Sequence, residues 1–134
     1  LIEFIESTVF GLINQITSQQ EDGLRQLRDM IAMLLSFAEK NPGMTRVLVG
    51  DALVTEDGRL QGRNNQLVDR IGTSLKQAFR VTIAQGRLPQ ETDPAVRAGI
   101  VLAYVLGRWL RFAKSGFRRS PAEQFELQAP FLIA

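Results

Sequence analysis

Apolar residues recur at spacings of three and four along most of the chain, which predicts helices almost throughout. Leu1, Ile5, Val9, Leu12, Ile13 and Ile16 fall on one face of a first helix over residues 1–18. Gln19 to Gly23 is a polar break, and Asp22 is placed to cap a second helix over 23–41. That helix is apolar over more than half its circumference, from Leu24 to Ala38, which predicts a central position with neighbours on several sides. Asn41-Pro42-Gly43 ends it, because proline disfavours a helical residue before it and lacks an N–H. A short helix over 43–52 and a long one over 57–85 follow. Leu60, Leu67, Ile71, Leu75, Ala78 and Phe79 form the inner side of the long one, and Gly86 sits where a helix would stop. Asp93-Pro94 opens a helix over 94–115. Ser120-Pro121-Ala122-Glu123 has the form of a capping box at the start of a last helix, which Pro130 should kink or end. There is no strand-like alternation. The expected fold is all-α, with about six helices.

The helix over 94–115 carries a second pattern. Ala95, Gly99, Ala103 and Gly107 recur every four residues and form a ridge almost without side chains. Such a ridge lets another helix approach closely. Val96, Ile100 and Leu110 flank it, and the last helix adds Phe125, Leu127, Phe131 and Leu132. So wide an apolar arc at the end of a chain predicts a homodimer, in which two helices from each copy close a four-helix bundle about a two-fold axis. The interface positions are Gly99, Ala103, Gly107, Leu110, Phe125 and Phe131.

Composition narrows the function. The chain has 134 residues, one domain's worth, with 45% apolar residues and a net charge of +2. It has neither cysteine nor histidine. Disulfides and thiolate metal sites are excluded, and so is the commonest general base. The carboxylate pairs Glu3 with Glu6, Glu56 with Asp57 and Glu91 with Asp93 therefore read as structural, and no catalytic residue, metal or cofactor is expected. No apolar run is long enough for a membrane span and no secretory leader opens the chain, so the expected setting is cytoplasmic. Residues 1–23 carry acidic side chains and no basic ones; residues 97–119 carry Arg97, Arg108, Arg111, Lys114, Arg118 and Arg119 and no acidic ones. The basic stretch reads first as helix faces and C-terminal dipole partners. Met30, Phe37, Phe79, Tyr104 and Trp109 are spaced as core residues; in the alternative reading they line an effector pocket between helices. The chain begins without methionine and already inside a helical pattern, so a further segment is expected upstream.

Three segments resemble one family. They are Leu1 to Glu6, Lys40-Asn41-Pro42-Gly43-Met44-Thr45-Arg46, and Arg59-Leu60-Gln61-Gly62-Arg63-Asn64-Asn65-Gln66-Leu67. They are similar to the C-terminal domains of the TetR family, and within it to those of nucleoid occlusion factors. The resemblance implies an N-terminal helix-turn-helix domain before Leu1, through which the dimer binds DNA. It also implies nucleoid association and binding of the C-terminal tail of the division GTPase FtsZ, at positions that map to Phe4, Met33, Ser36, Lys40 and Asn41. Relatives tend to carry leucine, glycine and arginine where this chain has Met33, Ser36 and Lys40. The alternative within the same family is a transcriptional repressor whose helical core senses a small effector.

Overall fold

The structure, a computed structural model, describes residues 1–49 and 58–133. Its elements are all helices: α1 (Ile2–Gln19), α2 (Gly23–Lys40), α3 (Pro42–Leu48), α4 (Gly58–Ala84), α5 (Pro94–Lys114) and α6 (Phe125–Ile133). The expected all-α architecture is met. The expected continuation of α3 beyond residue 49, and the pair Glu56 and Asp57, lie outside the described residues.

The central position foreseen for α2 follows from its composition. It packs against all five other helices, and Leu27, Met30, Ile31, Leu34, Leu35 and Ala38 are almost fully buried. Its N-terminus is held twice. Asp22 accepts from the Arg25 N–H at 3.2 Å, as the sequence predicted. Gln85, at the far end of α4, accepts from the Gly23 N–H at 2.8 Å and donates to the Glu21 carbonyl at 2.7 Å. Gly23 is required there, because an added Cβ would lie 2.3 Å from the Thr82 hydroxyl. Gln85→Ala is therefore expected to cost about 1–2 kcal/mol, the value of a helix cap or of one or two hydrogen bonds. Urea unfolding with an unchanged slope checks this; an unshifted midpoint would mean that water replaces the amide at no cost.

The inner face of α1 is shifted from the one expected. Ile2, Ile5, Val9 and Ile13 are buried, whereas Leu1 is exposed and Leu12 and Ile16 are only half-buried. The stripe thus keeps its period but starts one residue later. The outer side of α1 is tied to α4 by charge. Arg63 lies 3.7 Å from both Glu3 and Glu6, and Arg70 lies 3.9 Å from Glu6 and over the Phe10 ring. The acidic first helix is thus matched to basic positions on α4, at the modest strength of exposed ion pairs.

The ends of α4 and α5 close in the same way. Gly86 has φ +74°, the Gly86 N–H donates to Ile83 O, and the Arg87 N–H donates to Thr82 O. Gly116 has φ +68°, and the Gly116 and Phe117 N–H groups donate to Ala113 O and Phe112 O. Both are Schellman motifs, which satisfy the last carbonyls of the helix. At the second, the Phe117 ring meets Phe112 edge-on at 5.3 Å, the apolar contact that accompanies this motif.

The start of α6 differs from the sequence expectation. Residues 121–124 form a turn, Gln124 has φ +61°, and the helix begins at Phe125. Glu123 does not close a capping box. Its carboxylate instead meets Arg119 at 2.9 Å and Arg111 at 3.2 Å. Two cations, Arg119 four residues earlier and Arg111 on α5, outweigh one local backbone N–H. Pro130 sits inside α6 without ending it.

Candidate functional site

Two surfaces and one buried cluster hold the residues singled out in the sequence. On α2, Met33, Ser36 and Lys40 recur at three and four residues and so share a face. Met33 and Ser36 are half-buried and Lys40 is exposed. Asn41 ends the helix, and its side-chain amide donates to the Phe37 carbonyl at 2.8 Å. That bond satisfies one of the carbonyls left over at the helix end and fixes the amide's orientation. Lys40 stands in the last turn, where a cation is favoured by the macrodipole. Phe4 lies on the neighbouring α1. Its flanking residues Ile2 and Ile5 are buried, so Phe4 is turned outward and is 55% exposed.

The second surface is the outer face of α5 and α6. Ala95, Gly99, Ala103 and Gly107 are all exposed, and a Cβ added at Gly99 or Gly107 would meet no atom of the chain. Val96, Ile100 and Leu110 are exposed beside them. On α6, Leu127 and Phe131 lie one turn apart and are 74% and 88% exposed. An aromatic ring left that bare makes α6 a candidate for an interaction face. Phe125 must be removed from this set. It is almost fully buried within the chain's own core, because the turn at 121–124 points its side chain inward.

The five residues of the alternative effector pocket are packed in the core. Met30, Phe37, Phe79 and Trp109 are buried, and the Trp109 indole donates to the Leu34 carbonyl at 3.0 Å. Tyr104 is half-buried, and its hydroxyl donates to Gln128 Oε1 at 2.6 Å. Burial raises its pKa against the lowering effect of Arg108 and Arg111.

Sequence reasoning missed the cluster that joins α5 to α6. Arg108 is only 8% exposed. It donates to the Glu123 carbonyl at 2.6 Å and to Gln128 Oε1, and its guanidinium lies 4.9 Å from the Tyr104 ring. Arg97 reaches the Leu132 carbonyl at 2.8 Å. The hydrogen bond and charge of Arg119 hold the Glu123 carboxyl below its usual range. Arg97 and Arg108 thus fasten the C-terminal segment to α5 rather than forming the solvated helix face expected of the basic stretch; Lys114 and Arg118 are exposed. The available signal was that Arg108 continues the buried side of α5 between Val105 and Trp109.

Among the described residues, no cluster of acidic side chains is arranged to hold a metal, and no helix is long and apolar enough to cross a membrane.

This arrangement is that of a regulator's helical C-terminal domain. Residues 21–134 match the family model for the SlmA-like "Tetracyclin repressor-like, C-terminal domain", and the chain belongs to that family. Its relatives are named nucleoid occlusion factor SlmA. The protein of that name from Sodalis glossinidius is 41% identical over all of this chain, which covers 68% of its length. The one from Alteromonas mediterranea is 43% identical over 96% of the chain and 66% of its own length. The one from Escherichia coli is 40% identical over all of the chain and 68% of its own length. The chain thus spans about two thirds of these relatives.

Proposed function

We propose that this chain is the dimerisation and partner-binding domain of a nucleoid occlusion factor. In this reading two copies pair through α5 and α6. A helix-turn-helix domain preceding Leu1 binds DNA, and the α1–α2 face binds the C-terminal tail of FtsZ, which inhibits division over the chromosome. The domain acts by binding alone and works in the cytoplasm on the nucleoid. The observation that carries the reading is the near-40% identity, sustained over the whole chain, to proteins of that name. The packing supports it over effector sensing, because Met30, Phe79 and Trp109 fill the space an effector would need.

The chemistry of the α1–α2 face suits an acidic peptide with an apolar residue. Phe4 offers an aromatic anchor, Met33 an adaptable apolar contact, and Lys40 a charge that fixes register. Lysine lacks the planar fork of arginine, so its contribution is that of a point charge and falls with salt. Calorimetric titration of the protein, joined to its DNA-binding domain, with the FtsZ tail peptide tests the reading. Saturable binding that persists when the operator is added is expected. A flat titration with and without DNA would remove FtsZ as the partner.

A further inference from the structure

The order of contacts gives the relative directions of four helices. Glu3 of α1 lies beside Arg63 of α4, and Phe10 beneath Arg70, so α1 and α4 run the same way. Gly72 of α4 faces Leu102 of α5, and Phe79 faces Arg97, so α5 runs back along α4. Arg108 reaches the Glu123 carbonyl and Arg97 the Leu132 carbonyl, so α6 is antiparallel to α5 in turn. Phe131, the most exposed apolar side chain described, therefore stands at the level of the first turns of α5.

At that same level a cleft of about 230 Å³ opens between α4 and α5. Small residues shape it: Gly72 and Thr73 on α4, and Ala95, Ala98 and Gly99 on α5, with Leu102 as an apolar wall. A Cβ added at Gly99 would meet no atom of the chain. Arg97, Tyr104 and Arg108 turn toward α6, whereas Ala95, Gly99 and Leu102 lie on the opposite side of α5, so the cleft and α6 flank that helix. An apolar cavity of roughly 150 Å³ holds a benzene molecule, so the cleft has room for one phenyl ring.

We propose that the α4–α5 cleft is the seat for Phe131 of a second copy, so that α4 joins α5 and α6 in the dimer interface. The inference rests on the dimer reading above and adds its geometry. In a four-helix bundle closed by a two-fold axis, α5 has its own α6 on one side and the partner's α6 on the other. The other side of α5 is the cleft. The level follows from the direction of the axis. In that reading both copies present their Leu1 ends to one DNA duplex, so the axis runs along α1, α4 and α5 rather than across them. Height along the bundle is then the same in both copies, and the partner's Phe131 arrives beside Ala95 to Gly99. An axis across the helices would carry it to the far end of α5, near Leu110. A bare aromatic side chain entering a pocket of small residues is the usual form of an interface anchor.

The test uses mixed dimers in which one copy carries isotope-labelled methyl groups on a deuterated background and the other is unlabelled. Filtered nuclear Overhauser spectra then report contacts between copies only. Cross-peaks are expected from aromatic protons of the unlabelled copy to the Thr73 and Leu102 methyls of the labelled one, and they should vanish when the unlabelled copy carries Phe131→Leu. Sedimentation supplies a second readout. Phe131→Ala is expected to weaken pairing on the order of 30-fold or more. Thr73→Trp, which fills the cleft from an exposed position of α4, should weaken it similarly. The double variant should be no weaker than the weaker single one, because both changes remove the same contact. A protein that sediments as a dimer yet lacks these cross-peaks, or shows them at Leu110 instead, would overturn the seat and leave dimerisation standing. So would losses that add in the double variant. A protein that stays monomeric at every concentration would remove the dimer reading and the seat together.

Discussion

Ala103→Trp is expected to convert the proposed dimer into a monomer without unfolding the chain. Ala103 is exposed at the middle of the four-residue ridge on α5, so within one copy an indole would project into solvent. Between two copies it would occupy the line where the backbones come together. Ridges of glycine and alanine allow that approach because there is nothing to interdigitate, and a large side chain there must separate the helices. Overpacking a well-fitted contact costs typically 1–3 kcal/mol. A two-fold interface meets the substitution twice, so dimer affinity should fall on the order of 100-fold or more. Sedimentation velocity across a dilution series measures this, with far-UV circular dichroism to establish that the helices persist. Leu127 and Phe131 are the exposed apolar residues that α6 brings to the proposed interface, and Phe131→Ser should weaken pairing in the same direction. A fully dimeric Ala103→Trp protein would remove the ridge from the interface and leave its lack of side chains without explanation.

The helices were legible because burial imposes its period on the sequence. The stripe of α4 and the near-continuous apolar surface of α2 are consequences of where those helices sit, and they are visible before any coordinate. Local caps were legible for the same kind of reason: Asp22, Asp93 and Gly86 act on groups within a few residues of themselves. What could not be read was set by groups far away in sequence. Ser120 and Glu123 have the spacing of a capping box, yet Arg119 nearby and Arg111 on the preceding helix share the carboxylate. Gln85 caps a helix that starts 62 positions earlier. Phe125 and Phe131 look alike as apolar residues of a terminal helix, and only the turn before α6 decides that one is core and the other surface. The α1–α2 face was found through resemblance, because single residues such as Ser36 and Lys40 carry no periodic signal.

Phe4→Ala is expected to weaken FtsZ-tail binding on the order of 30-fold, and Lys40→Ala by less. Phe4 contributes little to the fold, since it faces away from the helix stripe formed by Ile2, Ile5 and Val9. More than half of its surface is open, and a peptide that covered it would remove an aromatic ring from water without disturbing the core. A buried aromatic anchor is worth about 2 kcal/mol or more, while a charge at the rim acts mainly on register and association rate. The two contributions should separate with salt. Raising ionic strength shortens the reach of the lysine's charge and leaves the ring's contribution nearly unchanged. Lys40→Ala should therefore bind almost as well as the parent protein at high salt, whereas Phe4→Ala should remain weak at every salt concentration. Calorimetry with the tail peptide, on protein joined to the proposed upstream DNA-binding domain, measures both series. Leu1, exposed one turn before Phe4, offers a different explanation for the open ring: the pair could pack against that upstream domain. In that case Phe4→Ala would lower the melting temperature of the joined protein and leave tail affinity unchanged, and the peptide-anchor role would be refuted.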